Sequence, residues 1–244
     1  MIPFLRTLFF FVVFWAHQIL ILPLLLLFSI LVRDTPTRTA QRRSVHLITH
    51  SWARMICWLG GVKLQVMDRS GVSRDETVLW VSNHQGDFDI PILLATAGRP
   101  TAFVAKKELS GIPLVSRWMS IMGCIFLDRQ NRRKQVEQVK QAVAHLQGGI
   151  SMVIFPEGTR SHGPQMGEFA KGSLQIGLRA GVPIVPVTLR DTYTLYPKSK
   201  KLFPGGTAAV IFHPAIPTSD LTPEERTALQ TRVQEQIQKG LDES

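Results

Sequence analysis

Residues 8–32 form a run of 25 positions without a formal charge, and no other feature limits the possible folds of this chain as strongly. About 20 apolar residues in helical form span a bilayer, so the run predicts a membrane segment. His17 and Gln18 are its most polar interruptions and Pro23 lies inside it. A full crossing and a shallow, kinked dip both fit that pattern. A cleavable leader has a shorter apolar core and a small-residue cleavage site. Neither is evident, which predicts that the segment is retained. Arg33, Arg38, Arg42 and Arg43 follow the run, against Arg6 before it. By the positive-inside tendency, the rest of the chain is expected on the cytoplasmic side.

The segment decides what the charge means. Lys and Arg outnumber Asp and Glu by 28 to 18, for a formal charge of +10. Such an excess attracts nucleic acid, anionic lipid headgroups or phosphorylated substrates. An apolar anchor points to the lipid surface, and no nucleic-acid partner is expected. With 45% hydrophobic residues the chain is no disordered polyelectrolyte. Cys57 and Cys124 sit in apolar runs without metal-ligand spacing, which predicts buried, reduced thiols.

Residues 45–59 carry Val45, Ile48, Trp52, Met55, Ile56 and Leu59 at helical spacing. The stripe fits a helix lying in the membrane interface and equally one packed on a core. After Gly60 and Gly61, short β-branched runs alternate with helical stretches. Strands are expected at 62–67, 77–82, 102–105, 124–127, 150–155, 184–189 and 208–212, and helices at 90–96, 114–122, 134–146 and 173–179. Thr222, Pro223 and Glu225 form a capping signal for a last helix, in which Leu229, Val233 and Ile237 recur every four residues. The reading is an α/β domain at 61–244, a mixed sheet flanked by helices. Membrane-anchoring helices at 1–60 precede it.

Chemistry concentrates where apolar strands end in polar turns. Asn83 to Asp89 reads Asn-His-Gln-Gly-Asp-Phe-Asp after the strand ending at Ser82. A neutral imidazole takes a proton from a hydroxyl when its other nitrogen is held by a carboxylate. His84 and Asp89 have those chemistries if the chain reverses between them, although Asp89 also fits a helix N-cap. Phe155-Pro156-Glu157-Gly158-Thr159-Arg160 is a second such turn, where backbone amides and a guanidinium suit a phosphate. Asp128-Arg129 and Lys106-Lys107 follow two further strands, and in a sheet such ends converge. A metal site from His84, Asp87 and Asp89 lacks a recognised ligand arrangement, so none is expected. Nucleophile-elbow and phosphate-loop motifs are absent.

These blocks, with Gly123 to Arg129 and Val182 to Val187, occur in the order found in the phospholipid and glycerol acyltransferase family, which the chain resembles over residues 79–188. The likeness is specifically to bacterial 1-acylglycerol-3-phosphate acyltransferases. The resemblance implies His84 as general base oriented by Asp89, with Lys106, Arg129, Glu157, Gly158, Thr159 and Arg160 binding the acceptor and its phosphate. It implies lysophosphatidic acid as acceptor, an acyl-CoA or acyl carrier protein thioester as co-substrate, no further cofactor, and a place at the bacterial inner membrane. Where the family often has serine two residues after the histidine, this chain has Gly86, and Asp87 adds a carboxylate.

Overall fold

The computed structural model describes residues 1–31 and 39–243. Arg33 and Arg38, used above for orientation, lie outside the described residues. The chain opens with two long helices, α1 (Ile2–Leu31) and α2 (Thr39–Leu59). β1 (Val62–Asp68), β2 (Leu79–Ser82), α3 (Asp89–Thr96) and β3 (Thr101–Lys106) follow. Next come α4 (Val115–Met122), β4 (Ile125–Leu127), α5 (Arg132–Gln147), β5 (Ser151–Ile154) and α6 (Gln175–Ala180). β6 (Ile184–Arg190), β7 (Gly206–Phe212) and α7 (Pro223–Asp242) close the domain.

The strands form one seven-stranded sheet in the order β1-β7-β6-β2-β5-β3-β4. β6, β2, β5, β3 and β4 run parallel. β7 is antiparallel to β6 and parallel to β1. All residues of β2 and β5 are buried, as expected of parallel strands covered on both faces. This is the expected mixed sheet flanked by helices, with an apolar helix ahead of it. Element ends shift by at most two residues from the expected bounds, except that α2 starts six residues earlier. The Thr222 capping box forms as expected, with Pro223 in the first turn, and Asn131 caps α5 by accepting from the Lys134 amide at 3.1 Å.

α1 is docked along the domain at its start. Arg6 donates to the Pro204 carbonyl, and the Thr7 hydroxyl accepts from the Phe203 amide at 2.9 Å. Phe10 meets Phe203 with ring centroids 4.2 Å apart, and Phe203 also meets Tyr196 and Phe88. The opposite face, including Phe4, Leu8, Phe9, Val12 and Trp15, is exposed. The stretch Ile2–Pro23 is long and apolar enough to cross a membrane, with 11% of its apolar window buried. The helix continues through Pro23, which has no N–H to give to the preceding turn.

α2 packs one face on the core and leaves apolar side chains exposed on the other. Val45, Ala53, Ile56, Cys57 and Leu59 are buried, while Leu47 and Trp58 are exposed. Both cysteines are free and buried, and burial pushes each thiol up to about 12.

Candidate active site

Five parallel strands side by side share a direction, so the turns after β2, β3, β4 and β5 emerge at one edge. That edge gathers His84, Lys106, Arg129 and Glu157 from stretches far apart in sequence, as strand ends in open α/β sheets do.

The turn after β2 folds back on itself. His84 Nδ1 lies 2.6 Å from Asp89 Oδ2. The same oxygen accepts the amide N–H of Gln85 at 2.6 Å and of Gly86 at 2.9 Å. Asp89 Oδ1 accepts the Thr192 hydroxyl. Asp89 has no exposed surface. A carboxylate stripped of water costs several kcal/mol unless donors replace the water, and here four do. Asp89 therefore does not cap α3, whose N-cap is Phe88 without a side-chain cap bond. With Nδ1 held by the carboxylate, Nε2 is the nitrogen left for a substrate proton.

Three contacts fix the histidine itself. Its ring stacks on Phe155, centroids 4.0 Å apart with 16° between planes. Its backbone N–H donates to Glu157 Oε1 at 2.7 Å, and its carbonyl accepts from the Ser161 amide at 2.8 Å. Next to it, Asn83 spans to β6, donating to the Leu189 carbonyl and accepting the Leu189 amide, both at 2.8 Å.

Glu157 takes a second amide, Gly167 N–H, at 2.7 Å on Oε2. Burial pushes its carboxyl above the usual carboxylate range, opposed by the two backbone bonds. Both oxygens are thus engaged with backbone.

The basic side chains stand beside this turn. Lys106, Lys107, Asp128, Arg129 and Gly158 line an open cleft of about 550 Å³. Lys107 pairs with Asp128 at 2.9 Å, and that ammonium holds the Asp128 carboxyl below its ordinary range. The Arg129 guanidinium packs against Gly158, whose φ is +73°; a Cβ there would sit 2.0 Å from an Arg129 nitrogen. Only glycine admits that approach. Arg160 pairs with Asp87 at 2.9 Å, both half exposed, and Thr159 is exposed between Gly158 and Arg160. No group of three or more potential metal ligands occurs among the described residues.

Sequence reasoning passed over Thr192, Gln85 and the stacking face of Phe155. A threonine beyond the last strand-end block carries no local signal, because its partner is set by the β6–β2 pairing. The remaining histidines that the structure ties down serve packing. His213 is buried against the Thr188 hydroxyl at 2.8 Å, and burial lowers its pKa. His145 bonds the Gly123 carbonyl and His50 the Leu94 carbonyl.

A family model described as Acyltransferase matches residues 63–190. A 1-acyl-sn-glycerol-3-phosphate acyltransferase of Borreliella burgdorferi is 32% identical over 185 residues, covering 76% of this chain and 74% of that protein. The chloroplastic 1-acyl-sn-glycerol-3-phosphate acyltransferase LPAT1 of Arabidopsis thaliana is 34% identical over 178 residues. The match covers 72% of this chain and about half, 49%, of the plant protein. The crystal structure of the 1-acyl-sn-glycerophosphate acyltransferase PlsC from Thermotoga maritima superposes with a TM-score of 0.82 at 28% identity, covering 98% of this chain and 95% of that one.

Proposed function

We propose, because this chain belongs to the acyltransferase family, that it moves a fatty acyl group from an acyl thioester to the sn-2 hydroxyl of 1-acylglycerol-3-phosphate, forming phosphatidic acid. The observation that carries the reading is His84 held by the fully buried Asp89 carboxylate beside an open basic cleft. A proton acceptor alone serves many reactions. Next to a cleft of ammonium and guanidinium groups, it suits a hydroxyl on a phosphorylated acceptor.

In the reaction, His84 Nε2 takes the proton of the acceptor hydroxyl as its oxygen attacks the thioester carbonyl. Asp89 holds the imidazolium that forms. The tetrahedral intermediate collapses, the C–S bond breaks, and the thiolate recovers the proton from His84. Lys106, Arg129 and Arg160 hold the acceptor phosphate, with Gly158 giving Arg129 its seat and Thr159 lying between. Glu157 supports the site through the His84 amide. The reaction uses acyl-CoA or an acyl carrier protein thioester as donor, and neither metal nor further cofactor.

Both acceptor and product are lipids, which gives the exposed apolar face of α1 a partner in the phospholipid bilayer. The basic residues after α1, among them Arg42 and Arg43, favour the cytoplasmic face of a bacterial inner membrane.

The test incubates the purified full chain in lipid or detergent with labelled acyl-CoA and 1-acylglycerol-3-phosphate, beside His84→Ala. Phosphatidic acid is expected from the wild type and none above background from the folded variant. Equal product from a folded His84→Ala protein overturns the mechanism. Product only with a different lysolipid moves the acceptor, and salt-sensitive lipid binding without turnover on any acceptor replaces the enzyme reading.

A further inference from the structure

The match to the family model ends at Arg190, and just beyond it a short turn closes over the His84–Asp89 pair. Asp191 adopts a left-handed backbone, φ +64°, and Thr192–Thr194 make one turn of 3-10 helix. Thr192 is 1% exposed. Its hydroxyl donates to Asp89 Oδ1, and its backbone N–H donates to the Gln85 side-chain carbonyl at 3.2 Å. The approach is close: a Cβ on Gly86 would lie 3.2 Å from the Thr192 carbonyl oxygen and 3.3 Å from Tyr193 Cα. A side chain in place of Gly86, where the family often has serine, would require the turn to give by a few tenths of an ångström.

We infer that Thr192 is a positioning residue for the proton transfer, acting through Asp89; this rests on the acyltransferase reading above. Asp89 Oδ2 serves His84 and two backbone amides, while the donor given to Oδ1 is Thr192. A carboxylate held at one oxygen pivots about its Cβ–Cγ bond. A donor on the second oxygen fixes the carboxylate plane, and with it the direction of the lone pair that meets Nδ1. The hydroxyl also shares the negative charge and so moderates the hold of Asp89 on the imidazolium.

Both effects give Thr192→Val a signature. Valine keeps the shape and leaves Oδ1 without its donor. kcat is expected to fall by about tenfold to a hundredfold, with the acceptor KM nearly unchanged. A loss in kcat without a change in KM is what distinguishes a fault in proton transfer from a loosened binding site.

The experiment measures kcat and KM across pH for the full chain in detergent, with acyl-CoA and 1-acylglycerol-3-phosphate. It compares wild type, His84→Ala, Thr192→Val, Thr192→Ala and Thr192→Ser, each with its thermal midpoint. Alanine removes the same donor without placing a methyl against the carboxylate, so it decides the matter if valine unfolds the protein. Serine is expected to restore kcat. A His84-dependent wild type whose valine or alanine variant keeps kcat, or changes KM alone, overturns the role of Thr192 and leaves the acyltransferase reading standing. A wild type without His84-dependent product overturns both.

Discussion

Asp89 is fully buried and takes four donors, whereas Lys107, at the same sheet edge, is about half exposed and pairs with the single carboxylate of Asp128. The two regions treat charge in opposite ways. In the turn after β2 a charge is held by fixed dipoles, so position is accurate and salt has little reach. In the cleft the charges are hydrated and adjustable, individually weak but able to receive and release a ligand. The first arrangement suits a group that must keep one orientation, and the second suits an anion that must bind and leave again.

The sharpest way to break this comparison is Asp89→Asn. Asparagine keeps an oxygen that can accept the Gln85 and Gly86 N–H groups, but it carries no charge to stabilise an imidazolium at His84. Acyl transfer should fall on the order of a thousandfold in initial-rate assays with little change in acceptor KM. A variant within tenfold of wild type would mean that burial around Asp89 serves structure alone.

An intermediate effect is expected from Glu157→Ala. The substitution strands the amides of His84 and Gly167, at about 1–3 kcal/mol for each buried donor, visible as a lower thermal midpoint. The rate should fall about tenfold as the His84 backbone loosens. Burial raises the Glu157 pKa in the folded state, so this group's contribution to stability is present below its unfolded pKa and is lost as pH rises through the folded value. The alanine variant should lack that slope in melts collected from acid to neutral pH.

Asp87→Asn is expected to do least, and in the opposite direction. It frees Arg160 from an exposed carboxylate, so acceptor KM should drop about two- to threefold at low salt and converge with wild type at high salt. A raised KM would show that Asp87 orients Arg160, making the cleft more like the turn than the comparison allows.

The same contrast marks what could be read from residues alone. Apolar runs ending in polar turns located β2, β3, β4 and β5 and the four turns after them, because β2 and β5 are buried throughout and β3 and β4 begin buried. His84 and Asp89 could be paired in advance, because the reversal that joins them is local. Thr192 could not: its partner is about a hundred residues away and depends on β6 lying beside β2 with β7 turned antiparallel. Glu157 was expected among the acceptor contacts, and its residue type gave no hint that its two oxygens engage backbone amides. Nor does an apolar run reveal that α1 rests on Phe203, a residue from the other end of the chain.

The pairing of β1 with β7, Val62 opposite Gly206, has a bearing on biogenesis. Chains leave the ribosome from the N-terminus at about 5–20 residues per second, so α1 emerges long before β7 exists, and the sheet stays open at β1 until nearly the whole polypeptide has been made. The Thr192 donor and the Phe203 seat of α1 arrive in that same late stretch. Translation order therefore releases the apolar helix before its seat on Phe203 exists, and the turn around His84 and Asp89 is completed last.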